Sequence, residues 1–409
     1  MSSPKKLSPP EIVAQQLEDL YELRRKIAAV LAPRNGYEEP DVAEYREVLD
    51  SLLESLGEME SATRSLRQFY LQAQRRLDEV LKANSSIWTR PTGLPPEKVP
   101  SFIPIAERPT APGGSQTRLV SFINLKGGVG KTTLTANLVA AFSSGNFRDL
   151  AGRTPQPARV LVVDLDFQGT LSQRCVDPRV LHMASQNDFT SSKLLDAPSQ
   201  ANVAFDDLVV PFLGSPNASL ISANEFLDDK DVRRLNELAS RRVETRYYYR
   251  LWFHKPEIFE RYDFIFFDCP PRLTASSVCA LAASDFVFMP TAPESFDVNA
   301  VSRTLNWLGQ TRKNLGLSVR FGGAILNRTH KEQGLTANEE RSKNLVKLAC
   351  EDFRKNFVDA SRFSGVLDAF VPRRSGARYV NGFEGDALPG AKTIHFHRLA
   401  TEIFQRVQK

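Results

Sequence analysis

Between Val42 and Val80 the apolar positions step alternately by three and four: Val42, Tyr45, Leu49, Leu52, Leu56, Met59, Thr63, Leu66, Tyr70, Ala73, Leu77 and Val80, with Thr63 the weak member. A mean step of 3.5 keeps one stripe on one side of a helix over many turns, so the pattern predicts a long helix with a coiled-coil seam. A shorter helix precedes it from Glu11 to Leu31, carrying Leu17, Leu20, Ile27 and Leu31. Pro33-Arg34-Asn35-Gly36 and Pro40 separate the two,. Residues 1–83 are therefore expected to form a helical hairpin or coiled-coil arm, folded on itself or paired with a second chain. The periodicity then stops. Residues 84–117 hold Pro91, Pro95, Pro96, Pro100, Pro104, Pro109 and Pro112, which cannot run as helix or central strand, and read as an extended linker that either spans between domains or lies over the surface of one,.

From Arg118 short apolar runs alternate with helical stretches. Leu119–Leu125, Arg159–Asp164, Leu220–Ser222, Phe264–Asp268, Phe286–Pro290 and Phe321–Asn327 read as buried strands. Leu227–Phe259, Val298–Leu315, Glu339–Phe357 and a terminal Thr393–Val407 read as helices,. Such alternation predicts an α/β domain over residues 118–409, a doubly wound and mostly parallel sheet with ligand loops at the strands' C-terminal ends. Inside the first of these helical stretches, Tyr247-Tyr248-Tyr249 followed by Leu251, Trp252 and Phe253 reads as core or dimer packing,.

Composition adds limits more than identity. With 42% hydrophobic and 25% charged residues the chain can bury a large core, and a net charge of +5 over 409 residues means that any nucleic-acid affinity must come from a local patch,. Cys175, Cys269, Cys279 and Cys350 lack metal or redox spacing and read as reduced packing residues,. The MSSPKKLSPPE start has no apolar signal core, and no apolar run approaches a membrane span,. A cytoplasmic protein without a membrane partner is expected.

The chemistry gathers after the first strand. Lys126-Gly127-Gly128-Val129-Gly130-Lys131-Thr132-Thr133 sits between a strand and the helix carrying Leu134, Leu138, Ala141 and Phe142. Glycines let the backbone curl around an anion, the helix N-terminus points its N–H groups at it, Lys131 adds a charge and Thr132 a hydroxyl suited to Mg²⁺. In the pattern G-x-x-x-x-G-K-[ST] the first glycine would fall at Leu125; the loop instead begins with a second lysine, Lys126. Asp164 and Asp166 stand at the end of the second strand, and Asp268 ends the fourth, in Asp268-Cys269-Pro270-Pro271. Carboxylates at strand ends beside such a loop can hold Mg²⁺ through water and orient an attacking water.

This deviant Walker A loop, with the D-x-D-x-Q element and the Walker B strand, resembles the ParA/MinD family of ATPases, most of all its ParA-type partition members. The resemblance implies ATP and Mg²⁺ as cofactors. Lys131 would bind the β- and γ-phosphates, the loop residues Gly127, Gly128, Val129 and Gly130 would cradle them, and Thr133 would bond the α-phosphate. Thr132 would ligate the metal with Asp164 and Asp268 in support. Asp166 would position the attacking water, and Lys126 would reach across a homodimer to the partner's nucleotide, giving an ATP sandwich. Asn327-Arg328 resembles the family's adenine-reading element and Val371-Pro372-Arg373-Arg374 the segment that closes over the base. A switch of this kind would bind DNA without sequence preference and release it when an activating partner protein stimulates hydrolysis. Candidate DNA contacts are Arg312, Lys313, Arg320, Arg341, Lys343, Lys347, Arg354, Lys355, Arg373, Arg374 and Arg378, although Glu339, Glu340, Glu351 and Asp352 interleave with them,. The alternative function is a regulatory ATPase subunit that controls an effector, in plasmid maintenance or host defence, through its N-terminal arm.

Overall fold

The central apolar runs become strands buried on both faces, as near-continuous hydrophobic sequences require, and short edge strands complete the sheet,. They are β1 (Arg118–Phe122), β2 (Val160–Asp164), β3 (Val209–Pro211), β4 (Ala218–Ile221), β5 (Phe264–Asp268), β6 (Phe286–Thr291), β7 (Arg320–Thr329) and β8 (Val371–Pro372). The sheet order is β3-β4-β2-β5-β1-β6-β7-β8, parallel throughout except for the antiparallel β3–β4 pair. This computed structural model describes residues 89–145, 148, 155–240, 243–293, 297–331, 333–356, 365–373 and 394–408. The heptad of the N-terminal arm lies outside them, as do Arg374 and Arg378.

The helices that position the site are α1 (Lys131–Ser144), α2 (Thr170–Cys175), α3 (Phe226–Ala239), α4 (Tyr248–Phe253), α5 (Ala275–Ala283), α6 (Asp297–Leu315), α7 (Ala337–Asn356) and α8 (Ile394–Val407). Alternate strand residues feed two cores. Leu119, Leu161, Ile265, Phe267 and Val287 pack with Trp252, Phe253 and Val278 on one face. Val120, Phe122, Val162, Phe266 and Phe288 pack with Leu138, Phe142, Leu399 and Ile403 on the other. The sheet is therefore doubly wound. The terminal helix α8 lays Phe404 against Phe142 of α1, and Arg118 Nε donates to the Val407 carbonyl at 2.8 Å.

Two features differ from the sequence reading. The edge strands β3 and β8, of three and two residues, are too short to leave a periodic signal. The expected helix from Leu227 to Phe259 is broken into α3, α4 and the single turn Pro256–Phe259. The cause lies in the aromatic run: Tyr247, Tyr248, Tyr249, Trp252 and Phe253 are all buried, which a continuous surface helix with one apolar stripe cannot achieve,. The described part of the proline-rich stretch, from residue 89, lies on the domain surface and is anchored there. Ile103 N donates to His254 Nδ1 at 3.0 Å, and Arg108 forms a buried two-point ion pair with Asp285 at 2.6 and 2.7 Å. The four cysteines are buried and form no disulfide.

Candidate nucleotide-binding site

The parallel register sets the site. Asp164 and Asp268 are direct neighbours across the β2–β5 pair, and Asp268 is level with Phe122, the last residue of β1, from which the glycine loop departs. The loop reaches α1 through Gly128 and Gly130, both at positive φ (76° and 82°), where an L side chain is strained,. Gly130 is the N-cap of α1, so the first N–H groups of that helix face the concavity,. At the loop's start, Lys126 N donates to Asn124 Oδ1 at 2.9 Å while Asn124 Nδ2 donates to the Pro290 carbonyl at 2.9 Å, tying the loop to the end of β6. Lys131 folds back beneath the loop, its Nζ donating to the Lys126 carbonyl at 3.0 Å. Burial pulls the Lys131 pKa down, and Asp268 pulls against that,.

Both strand-end carboxyls are taken out of water. Asp164 is fully buried: Ser172 N and Oγ donate to its Oδ2 at 2.9 and 2.7 Å, and Asp166 N donates to its Oδ1 at 3.1 Å. Burial pushes it up to about 6 despite the Ser172 bonds. Asp268 is pushed up to about 7, first by burial and then by the nearby Asp164, with the Thr132 hydroxyl, Lys131 and Thr135 opposing. Thr135 Oγ1 donates to Asp268 Oδ1 at 3.2 Å, whereas Asp268 Oδ2 is buried with no hydrogen-bond partner. Such an orphaned acceptor in a buried carboxyl is unusual. An open carboxylate oxygen of this kind fits a divalent cation held through water, with phosphate and water as the other ligands.

Asp166 is half-buried and accepts from Gln168 N at 3.2 Å, on a turn that ends at Gly169, itself at positive φ. Next to it, Phe167 lies under the Arg272 guanidinium, 4.7 Å from ring centroid to Cζ, and Arg272 is paired with Asp228 of α3. Neither this stack nor Ser172 and Thr135 carried a sequence signal. They reach the site from eight residues past Asp164, four past Lys131 and four past Asp268.

At the end of β7, Asn327 and Arg328 sit against the loop: Asn327 Nδ2 donates to the carbonyls of Val129 and Gly130 at 2.8 and 3.3 Å, and Arg328 Nη1 donates to that of Gly128. Val371 and Pro372 form β8 beside Asn327 and Thr329, with Arg373 exposed at its end. Thr133 opens the helix with Thr132, half-buried. Glu339 of α7 receives the backbone and ring nitrogens of His330 at 2.6 and 2.9 Å and Thr336 N at 2.7 Å. Burial alone would raise its carboxyl, but the Thr336 and His330 bonds outweigh it and hold it down at about 2.

A strand, a positive-φ glycine loop capping a helix, and two paired strand-end carboxyls on a parallel sheet define a P-loop nucleotide-binding protein. Residues 117–320 match the family described as an AAA domain. Over 237 residues the chain is 30% identical to an uncharacterized protein of Mycobacterium tuberculosis, covering 58% of this chain and 64% of that one. It is 28% identical over 205 residues to the chromosome-partitioning ATPase Soj of Treponema pallidum, covering 49% of this chain and 68% of Soj. Among solved structures, the ATP complex of McdA from Cyanothece superposes with a TM-score of 0.51 at 18% identity, over 72% of this chain and 98% of that one. The match to an AAA domain and the likeness to partition ATPases agree with the ParA/MinD resemblance of the motifs.

Proposed function

We propose that the chain is an ATP-dependent dimerising switch of the ParA type. The observation that carries this reading is the Asp164–Asp268 pair beside the loop, with one buried Asp268 oxygen left unpartnered. In this reading the N–H groups of the loop and of the α1 N-terminus take the β-phosphate, and Lys131 offsets its charge. Thr132 and, through water, Asp268 hold Mg²⁺, which when bound supplies charge neutralisation on the phosphates. Asp164 is locked by Ser172 and fixes the turn that carries Asp166, and Asp166 orients the attacking water. Lys126 completes the partner's site in a sandwich dimer. The base is read by Asn327 and Arg328 and closed over by Pro372 and Arg373.

Non-specific DNA is the cargo that this reading favours, with an activating protein to trigger release. Several candidate contacts are engaged within the fold: Arg320 lies over Phe286 at 4.2 Å, Lys343 pairs with Asp368 at 3.7 Å and Lys347 with Glu351 at 4.0 Å. Solvent-facing pairs of that kind exchange readily for phosphate. No described helix is long and apolar enough to cross a membrane.

Chain mass in solution tests the reading, with ADP and with ATP plus Mg²⁺, on Asp166→Ala and Lys126→Ala, with duplex DNA added at low and high salt. Asp166→Ala should dimerise with ATP and take up DNA in a salt-sensitive way, and Lys126→Ala should stay monomeric. A dimer that ignores DNA at low salt moves the reading to the effector-controlling switch. A mass unchanged by ATP removes the sandwich.

A further inference from the structure

The three carbonyls of Gly128, Val129 and Gly130 each accept a donor from the end of β7, and that of Gly130 also accepts the first helical bond of α1, from Leu134 N at 3.0 Å. Arg328 Nη1 serves Gly128, and Asn327 Nδ2 serves Val129 and Gly130. Because the peptide unit is planar and trans, fixing the direction of each carbonyl fixes the N–H of the following residue in the opposite direction. The N–H groups of Val129, Gly130 and Lys131 are thereby aimed away from β7. Gly130 makes the approach of Asn327 possible: a Cβ there would lie 2.5 Å from Asn327 Nδ2, whereas one on Gly128 would sit in ordinary contact, 3.8 Å from Arg328 Nη1.

The donors are themselves held in place. Asn327 is buried, and Arg328 N donates to Asn327 Oδ1 at 3.0 Å, which fixes the amide's orientation. Arg328 adopts φ of 65°, a left-handed conformation that costs a side-chain-bearing residue stability and persists where surrounding contacts enforce it,.

We infer that Asn327 and Arg328 are positioning residues: they brace the phosphate loop from behind and preset its N–H groups for an anion, whatever base is attached. This rests on the nucleotide-binding reading above and adds to it a role toward the phosphates. A residue that acts only on the base leaves a baseless anion untouched, whereas a brace serves both ligands.

The test measures calorimetric affinity for Mg·ATP and for magnesium tripolyphosphate in wild type, Arg328→Ala, Arg328→Lys and Arg328→Gly, with a melting temperature for each. Arg328→Ala should weaken both ligands by a similar factor, about tenfold, and Arg328→Lys, which keeps one donor, should recover part of that loss. Arg328→Gly should bind as poorly as Arg328→Ala yet melt higher, since glycine tolerates the positive φ. Loss of ATP affinity with tripolyphosphate binding intact would overturn the brace and leave a base contact. Unchanged affinity for both in Arg328→Ala would also overturn it. Wild-type protein that binds neither ligand takes down the nucleotide reading together with the brace, a result visible before any variant is compared.

Discussion

The two ends of the sheet treat charge in opposite ways. At the N-terminal ends of the strands, Arg108 meets Asp285 in a two-point contact, gives further bonds to the Thr117 and Ile103 carbonyls, and Asp285 also accepts from Leu119 N at 2.8 Å. Asp263, just before β5, receives Gly113 N at 2.6 Å and Arg159 N at 2.7 Å. At the C-terminal ends, Asp164 and Asp268 face each other, are displaced upward by burial, and leave Asp268 Oδ2 unpartnered. One end closes its charges internally and holds the fold together. The other keeps a deficit that only a ligand can fill, so stability and binding should respond separately to substitution at the two ends.

The largest expected effect is at the open end. Lys131→Ala should cut ATP turnover roughly a hundredfold or more, since it removes the buried lysine proposed to offset the phosphates' charge, and leave the melting temperature near that of wild type. Steady-state hydrolysis and thermal melting together check this. At the closed end, Arg108→Ala should do the converse. Leaving Asp285 buried without its partner costs about 3–5 kcal/mol of stability by denaturant unfolding, with nucleotide affinity retained while the protein is folded.

Asp268→Asn sharpens the contrast, because an amide removes a carboxyl that burial and Asp164 push up to about 7. The nucleotide-free protein should gain about 1 kcal/mol at pH 7.5, while Mg²⁺-dependent ATP affinity falls steeply. A loss of stability instead would mean that the carboxylate is well accommodated without ligand.

The smallest effect concerns Asp231 on α3, which accepts from Ser276 N and Oγ at the start of α5. Burial pushes it up to about 7, with Asp228 adding to that and the Ser276 bonds and Arg272 opposing. The folded state therefore holds a proton that the unfolded chain has released between about pH 4 and 7, and stability falls as pH rises through that window. Asp231→Asn keeps both Ser276 bonds possible and should flatten the slope by about 1 kcal/mol per pH unit between pH 5 and 7. Melting curves of the two proteins across that range, subtracted, isolate this one carboxyl.

Most of the open end could be read from the chain before any fold was known. Asp164, Asp268 and the loop from Lys126 to Thr133 are local in sequence and chemically particular, and six strands were visible as apolar runs because central parallel strands must be apolar on both faces. The closed end was not legible. The proline-rich stretch reads as a linker, and nothing in its sequence tells that Arg108 finds Asp285, 177 residues away. Ser172, Thr135 and the Arg272–Phe167 stack were missed for the same reason: their partners are set by how helices land on the sheet, not by spacing. The break at Ser240 to Tyr247 was hidden because helical periodicity averages over a window wider than the turn.

The place of β1 in the strand order sets how the loop can move. β1 is bonded on one side to β5 and on the other to β6, whereas the edges are the three-residue β3 and the two-residue β8. Backbone amides of Leu119 to Ile123 therefore exchange with solvent deuterium only as fast as the whole domain opens, while the edges fray first. The loop hangs from the anchor that lets go last. Any ligand-dependent change in exchange at Gly127 to Lys131 is then a local tightening, read against the strand whose protection is lost last.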